Sequence, residues 1–154
     1  MTGNTQSALG ERQRLMKICA NATATELQAA VQPFEAAVCA VDIRPPQTGL
    51  VMMQARTGGS GNAFNIGEAT VTRAAVRLEG GITGHACMLG RSRERARLAA
   101  ILDALGQDAA NVPLLERVLV EPVTGRLERE AAVRRTETAA TKVDFFTLVR
   151  GEDS

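Results

Sequence analysis

The first third of the chain repeats its apolar residues at helical spacing. Within residues 11–20, apolar side chains recur at i, i+3 and i+4, which predicts a short amphipathic helix. Thr23 and Glu26 have the spacing of a capping box, so a second helix is expected to begin near Ala24. Pro33 prevents its continuation, because proline removes a backbone donor and clashes with the preceding turn. Two short helices are therefore predicted at the amino-terminal end.

The middle of the chain changes to short runs that are typical of β-strands. Two such runs, residues 38–44 and 50–56, flank the proline- and glycine-containing segment 45–49, which predicts a hairpin turn. Residues 70–78 alternate between two faces, and residues 82–89 are predicted to form the returning strand after a glycine-rich turn. Four antiparallel strands in a meander are therefore expected.

The last third returns to helical spacing. Ser92 is suited to cap a helix whose apolar stripe ends before Gly106. Pro113 is acceptable in the first turn of a further short helix, and Pro122 is expected to end that helix. A last and very polar helix is predicted over residues 126–142.

The order of these elements predicts the fold class: α+β, a single domain with N-terminal helices, an antiparallel four-stranded meander sheet, C-terminal helices and an apolar tail. We expect a flexible N-terminus over residues 1–10, the domain over residues 11–142 and the tail over residues 143–154. A length of 154 residues suits one domain. The longest apolar run has six residues, whereas a membrane helix needs about 20. With no signal-peptide pattern at the start, a cytoplasmic protein without a membrane partner is expected.

Charge and composition narrow the classes of partner. The chain has 18 basic and 17 acidic residues, for a formal net charge of +1. Proteins that bind nucleic acid normally carry a larger basic excess, so no nucleic-acid partner is expected. Sixteen of the basic residues are arginine, which contacts carboxylate or phosphate in a bidentate manner that lysine does not match. The three cysteines have no CxxC spacing, which favours a reducing compartment over a disulfide framework or a zinc ribbon.

No catalytic constellation is complete in the sequence. The single histidine, His85, has only Cys87 near it as a second soft ligand, whereas zinc needs three or four protein ligands. No serine lies in a signature turn, and no cysteine has a histidine partner of the kind that activates a nucleophile. We therefore expect no metal site and no cofactor held by this chain, and no catalytic residue is assigned.

Anion binding is the richest candidate chemistry. Residues 57–61 can cradle a phosphate through backbone N–H groups, with Arg56 beside them, although a flexible hairpin connection explains the same glycines. Arg73 and Arg77 share one face of a predicted strand, where they either meet an anion or lie in solvent. Four arginines within residues 91–97 crowd a predicted helix start, where cations oppose the macrodipole unless an anion lies nearby. The anion- or substrate-binding candidates are Arg56, Gly58, Gly59, Gly61, Arg73 and Arg77.

Several short motifs occur in an order and spacing that resemble one family. They are Gly49-Leu50-Val51, residues 55–61, Phe64, residues 67–78, Gly90-Arg91, residues 103–105 and the segment KVDFFTLVRG at residues 142–151. Each motif is ordinary alone, but the set extends over nearly the whole chain. The chain resembles the PhnG family, the small G subunits of the bacterial carbon–phosphorus (C–P) lyase core complex.

The resemblance implies a role in phosphonate catabolism. In that family the G subunit acts with three other proteins to displace adenine from ATP by methylphosphonate, which gives α-D-ribose 1-methylphosphonate 5-triphosphate. A separate radical S-adenosylmethionine subunit later cleaves the C–P bond. The resemblance further implies a transferase subunit that is not catalytic alone, within a hetero-octamer of two copies of each of four subunits. ATP is then a co-substrate of the complex.

The apolar tail is predicted to dock on a partner subunit. Both faces of residues 143–150 carry apolar side chains, so packing on the chain's own domain leaves one face in water. The alternative is a tail that packs in a groove between the helices of its own domain. The partner-binding candidates are Val143, Asp144, Phe145, Phe146, Leu148 and Arg150.

Three hypotheses of function stay open on the sequence. The first is a non-autonomous subunit of the transferase that makes the ribose triphosphate product. The second is a purely structural adaptor of the same assembly, with no residue in the reaction. The third is an arginine-rich nucleic-acid-binding domain, which the net charge of +1 and the presence of only four aromatic residues disfavour.

Overall fold

The structure is a computed structural model that describes residues 3–34, 39–58 and 61–140. Its elements are α1 (Gly3–Asn21), α2 (Ala24–Val31), a 3₁₀ turn (Gln32–Phe34), β1 (Ala40–Arg56), β2 (Ala63–Leu78), β3 (Thr83–Leu89), α3 (Arg93–Leu105), α4 (Val112–Leu115), a π-helical segment (Glu116–Val120) and α5 (Glu121–Ala140). They fall into two compact units, one that ends at Thr124 and one that begins at Gly125. Helices that precede and follow an antiparallel sheet confirm the predicted α+β class.

The described strands form one antiparallel sheet of three strands in the order β1–β2–β3, so the prediction of four strands is wrong. Residues 38–44 and 50–56 do not form two strands joined by a turn, because residues 40–56 form the single strand β1. The intervening Pro45 and Pro46 lie within this strand.

The geometry of β1 explains how a strand accommodates two prolines. The register with β2 shifts between Asp42 and Arg44 and again between Arg44 and Gln47. Such irregularities leave residues unpaired, and β1 is an edge strand with a second side that no described strand occupies. A proline that lacks an N–H donor is tolerated at both kinds of position.

One face of the sheet, the inner face, is covered by α3. Thr72, Ala74 and Val76 of β2 are buried on this side, opposite buried residues of β3. Gly84 of β3 allows the close approach, because a Cβ atom at this position would meet the carbonyl oxygen of Ala100 in α3. The close packing requires a small residue at this position, although nothing in the sequence indicates that a helix backbone lies against it.

The predicted helix signals at α2 and α3 are confirmed. The backbone N–H of Glu26 donates to Thr23 Oγ1 at 3.2 Å, and the backbone N–H of Thr23 donates to Glu26 Oε2 at 2.8 Å, which is the capping box. Ser92 Oγ accepts from the backbone N–H of Arg95 at 3.3 Å, and α3 ends before Gly106. Local chemistry alone sets these ends.

A buried carboxylate joins α1, α3 and β3. Arg12 Nε and Nη2 donate to the two carboxylate oxygens of Asp103, each at 2.7 Å. The backbone N–H of His85 donates to Asp103 Oδ2 at 2.8 Å. The Asp103 side chain is 1% exposed, so these three donors satisfy a charge that water does not reach. We call this arrangement the Asp103 clamp.

Two of the four arginines at the start of α3 have internal partners. Arg97 Nε donates to Asp42 Oδ1 at 2.8 Å and its Nη2 donates to the carbonyl of Ala40 at 3.2 Å, which ties α3 to β1. Arg95 Nη2 donates to the carbonyl of Ala20 at 3.1 Å, near the end of α1. These two arginines hold elements together, so the crowding at this helix start does not by itself indicate an anion.

The prediction that Pro122 ends a helix is wrong, whereas Pro113 does lie in the first turn of α4. Pro122 is the second residue of α5, directly after the π-helical segment. The backbone N–H of Glu121 bonds to the carbonyl of Glu116, five residues earlier. This wider turn shifts the hydrogen-bond ladder at the point where a proline ring would otherwise clash with an α-helical carbonyl.

The ends of the chain differ from the prediction in extent. Helix α1 begins at Gly3, ahead of the predicted start at residue 11. Helix α5 ends at Ala140, and between Gly125 and this residue no side chain is fully buried. The predicted tail, residues 143–154, lies outside the described residues. Among the helices that are described, none is long and apolar enough to cross a membrane.

Candidate functional site

The second face of the sheet, which we call the outer face, carries no helix among the described residues. The register places the side chains of one face of the three strands together. The outer face consists of Val41, Arg44, Gln47, Val71, Arg73, Ala75, Arg77, Thr83, His85, Cys87 and Leu89. Most of these side chains are exposed, including Leu89 at 74%. An uncovered face with large apolar residues is unusual for a self-contained domain.

Three arginines lie next to one another on the outer face. Arg44 pairs with Ala75 across β1 and β2, while Arg73 and Arg77 lie two residues to either side of Ala75. Diagonal neighbours of this kind have Cα atoms roughly 7–8 Å apart. The pairing therefore places Arg44 between Arg73 and Arg77, and we call these three residues the arginine cluster.

The arginine cluster has no counter-charge within the described part of the chain. Arg44, Arg73 and Arg77 are exposed and make no ion pair or side-chain hydrogen bond with any residue that the structure describes. Four other arginines do have carboxylate partners: Arg12, Arg14, Arg97 and Arg126. Arginines such as Arg93 of α3 also lack a carboxylate partner, so the distinguishing feature of the cluster is that three unpaired guanidiniums lie next to one another.

An open depression of about 490 Å³ lies beside the cluster. It is lined by Ile43, Arg44, Arg73, Ala74, Ala75, His85, Ala86 and Cys87. Of the three alanines, Ala75 has its side chain on the outer face, opposite both Arg44 and His85, and its small size leaves space between the longer side chains. The depression thus brings two guanidiniums and one imidazole around a small residue.

His85 and Cys87 lie on the outer face as predicted from their spacing in one strand. Each is opposite a residue of β2, His85 opposite Ala75 and Cys87 opposite Arg73. No group of three or more His, Cys, Asp or Glu side chains in the described ranges could hold a metal ion. Their neighbours are cationic, which suits an anion better than a metal.

The glycine loop lies far from the arginine cluster. Arg56 is the last residue of β1, nine residues beyond Gln47, which pairs with Arg73. At about 3.3 Å per residue the separation along the strand is roughly 30 Å. The loop and Arg73 or Arg77 therefore do not form one anion-binding site.

Around the loop itself, few groups are arranged for a ligand. Arg56 Nη1 approaches the carbonyl of Gly61 at 3.5 Å, and Gly58 adopts a left-handed backbone with φ +67°. Such a φ favours glycine at the tip of a hairpin. Gly59 lies outside the described residues. An anion-binding role for Arg56, Gly58, Gly59 and Gly61 stays a prediction, separate from the cluster.

A two-stranded arm extends beyond the third strand. The last residue pair of β2 with β3 is Val71 with Leu89, so residues 50–56 and 63–70 pair only with each other. We call these two segments the arm. Its exposed large apolar residues are Leu50, Met52, Met53, Phe64 and Ile66. A two-stranded ribbon with uncovered apolar residues is marginal in water, so the arm is suited to be covered by another chain.

Two residues that organise this part of the molecule were not predicted as site residues. Arg44 was not among the candidates, because a turn at residues 45–49 would place it on a strand that is not next to Arg73. Asp103 was not singled out either, although an aspartate between Leu102 and Ala104 in an apolar helix stripe indicates a buried partner.

The buried thiol of Cys19 is close to the Asp103 clamp. Burial, together with the negative charge of Asp103, raises its pKa from 9.0 to about 12. This thiol is therefore protonated at neutral pH and unsuited to act as a nucleophile. Cys39 and Cys87 are free and exposed.

Comparison with known proteins agrees with the motifs. The chain matches the family described as "Phosphonate metabolism protein PhnG" over residues 10–151. It is 48% identical over 147 residues to the alpha-D-ribose 1-methylphosphonate 5-triphosphate synthase subunit PhnG of Rhizobium meliloti (strain 1021). That match covers 96% of this chain and 94% of the relative. The chain therefore belongs to the PhnG family of phosphonate metabolism proteins.

Proposed function

We propose that this chain is the G subunit of an α-D-ribose 1-methylphosphonate 5-triphosphate synthase and works only within that complex. The observation that carries the proposal is the 48% identity to a named subunit of this synthase across nearly the full length of both chains. A match of this extent leaves no large segment of either chain without a counterpart. The family match over residues 10–151 supports the same role in phosphonate metabolism.

The chemistry of the described residues supports a subunit rather than a freestanding enzyme. They offer no group of metal-ligating side chains. The buried thiol has a raised pKa, and the single histidine lies on an open face beside arginines. What the chain does offer is positive charge and uncovered apolar surface, which suit binding to a charged substrate and to other subunits.

The reaction that we propose for the complex is the displacement of adenine from ATP by methylphosphonate. A phosphonate oxygen forms a bond to C1′ of the ribose while the bond from C1′ to the adenine nitrogen breaks, and adenine leaves with a proton. The triphosphate remains on the 5′ oxygen. Both substrates and the product are polyanions, so cationic side chains are needed somewhere in the complex.

We propose that the partners are the other C–P lyase core subunits, in a hetero-octamer with two copies of each of four subunits. The exposed apolar residues of the arm support contact with another chain, since aromatic residues and Met are enriched at interfaces. We place the complex in the cytoplasm, because three free cysteines suit a reducing compartment.

Reconstitution tests the proposed function. Adenine release from ATP and methylphosphonate is measured with the three partner proteins, with this chain alone and with all four together. We expect release only from the full set. Release at the full rate without this chain, or release by this chain alone after contaminating subunits are excluded by mass spectrometry, would contradict the proposal.

Deletion of residues 143–154 tests the predicted tail. If Val143, Asp144, Phe145, Phe146, Leu148 and Arg150 contact a partner, the shortened chain stays folded and fails to co-purify with the larger subunits. A shortened chain that unfolds would instead show that the tail belongs to the core of this chain.

A further inference from the structure

The arginine cluster lacks what normally neutralises arginines at a protein surface. Arg73 and Arg77 share one face of β2 with a single residue between them on that face, and Arg44 approaches from β1. No carboxylate of the described chain pairs with any of the three. Like charges at neighbouring positions of a sheet repel one another. An arrangement of this kind becomes favourable when an anion binds among the guanidiniums.

The surface beside the cluster has the shape of a small-molecule site. The depression of about 490 Å³ falls within the range of roughly 300–1,000 Å³ that ligand pockets occupy. The small side chain of Ala75 leaves room for a ligand between Arg44 and His85. The imidazole of His85 on its rim adds a further hydrogen-bonding group.

The spread of the charges selects the class of anion. Arg73 and Arg77 are four residues apart, about 13 Å along the strand. One phosphate or phosphonate group carries at most two negative charges, so it does not neutralise all three guanidiniums of the cluster. A chain of linked phosphates carries more charge over a greater length, and arginine binds phosphate oxygens in a bidentate manner.

We infer that the arginine cluster and the adjacent depression, formed by Arg44, Arg73, Arg77 and His85, bind the triphosphate chain of a nucleotide or of the ribose triphosphate product. The site lies on the outer face of the sheet and excludes the glycine loop. This inference rests on the proposed function for the identity of the ligand, because the synthase product named for the relative carries a 5-triphosphate.

Binding of inorganic tripolyphosphate to the full chain tests the site directly. Isothermal titration at low salt compares tripolyphosphate with inorganic phosphate, for the native chain and for the variants Arg73→Gln and Arg44→Gln. A matched control is Arg93→Gln, because Arg93 is an exposed arginine of α3 that has no ion-pair partner among the described residues. Loss of one charge-assisted contact is expected to weaken tripolyphosphate binding about tenfold or more.

The expected result is tripolyphosphate binding that is stronger than phosphate binding, weakened by each cluster variant and unchanged in the control. Equal binding of the two anions, or equal weakening by Arg93→Gln, would show only a general attraction to positive charge and would overturn the inference. The same titration on the assembled complex covers the case of a free chain that does not stay in solution. Loss of tripolyphosphate binding on assembly would show that a partner occupies the cluster and would also overturn it.

Kinetics of the assembled complex separate this inference from the proposed function. If both hold, Arg73→Gln raises the KM for ATP and leaves kcat and the KM for methylphosphonate nearly unchanged. If the complex requires this chain but Arg73→Gln does not alter its KM for ATP, the proposed function is supported and the inference is contradicted. If adenine release does not require this chain, the proposed function is contradicted, and the tripolyphosphate titration still decides whether the site exists.

Discussion

The two faces of the three-stranded sheet differ in whether their charged and apolar side chains have partners within the described chain. On the inner face, Asp103 receives three donors, and Gly84 lets α3 lie directly against β3. On the outer face, three neighbouring arginines have no carboxylate partner among the described residues, and Leu89 is largely exposed. The inner face is packed and its buried charge is paired, whereas the outer face offers charged and apolar groups that no described part of this chain covers.

This difference separates residues that stabilise the chain from residues that serve the complex. Substitutions on the inner face are expected to lower the free energy of unfolding, because they disturb packing and buried charge. Substitutions on the outer face and the arm are expected to leave folding nearly unchanged and to alter assembly or ligand binding.

Removal of the Asp103 carboxylate is expected to have the largest effect. Asp103→Ala leaves the backbone N–H of His85 without its acceptor in the interior and frees the guanidinium of Arg12. We expect a loss of about 3 kcal/mol in the free energy of unfolding, at the lower end of the range for a broken buried pair, because Arg12 is partly exposed and regains water. Urea unfolding measures it.

The control for this variant is Glu128→Ala, because Glu128 is an exposed carboxylate of α5 for which no ion pair occurs in the described chain. Its effect is expected to stay within about 0.5 kcal/mol. A similar small effect for Asp103→Ala would mean that the clamp does not hold α1, α3 and β3 together.

Two glycine substitutions compare the faces with the same added methyl group. In Gly84→Ala the new Cβ meets the carbonyl oxygen of Ala100, so α3 must move away from the sheet. We expect a loss of about 2–3 kcal/mol in the free energy of unfolding, typical of overpacking. In Gly49→Ala, on β1, the new Cβ has no atom within 4 Å, and we expect a change within about 0.5 kcal/mol.

Thermal or urea unfolding of the two glycine variants side by side gives the measurement. Comparable losses at both positions would contradict the view that only one face of the sheet is packed.

The arm is expected to matter for assembly and little for folding. Leu50 and Phe64 are 61% and 47% exposed, so replacing both with serine removes apolar surface that contacts water in the free chain. We expect the affinity for the partner subunits to fall at least about 30-fold, as for interface hot spots. The unfolding free energy should change by less than about 1 kcal/mol.

Quantitative co-purification measures this effect, and Phe64→Leu is the matched control because it keeps an apolar side chain. Restored assembly in that variant supports an apolar interface. A double-serine variant that assembles normally would place the interface elsewhere on the chain.

The smallest expected effect concerns pH and the thiol of Cys19. Its pKa is about 12 in the folded chain, above the ordinary value of 9.0, because of burial and the charge of Asp103. Between these values the folded state holds a proton that the unfolded state releases, so stability falls as pH rises from 9 towards 12. Cys19→Ala is expected to make this fall shallower in urea unfolding at pH 8 and pH 10.

Alkylation provides an independent readout of the same thiol. At pH 8.5, iodoacetamide should modify the exposed Cys39 and Cys87 long before Cys19. Equal alkylation rates for all three cysteines would contradict the buried position of Cys19. An equal fall in stability with pH for the native chain and for Cys19→Ala would contradict the raised pKa of the thiol.

Local signals in the sequence correctly predicted the starts of α2 and α3. The capping box at Thr23 and Glu26 and the cap at Ser92 involve residues three apart, so no knowledge of the rest of the fold is needed. The alternation of β2 likewise assigned Arg73 and Arg77 to one face. Interactions within one element can therefore be predicted from the spacing of its residues.

Structural features that depend on contact with a second element could not be predicted from residue spacing. Pro45 and Pro46 resemble a turn, and only the edge position and irregular register of β1 make them acceptable in a strand. The same error hid Arg44, whose position next to Arg73 follows from that register. The distance between the glycine loop and Arg73 likewise follows from the uninterrupted length of β1, which the sequence pattern did not predict.

Hydrogen–deuterium exchange of this chain, free and within the assembled complex, shows directly which surface the other subunits cover. We expect the arm, residues 50–56 and 63–70, to exchange rapidly in the free chain and to become protected on assembly. Helix α3 on the inner face should exchange slowly in both states. An arm whose exchange does not change on assembly, with new protection confined to the inner helices, would contradict the claim that the outer face and the arm are the surfaces that serve the complex.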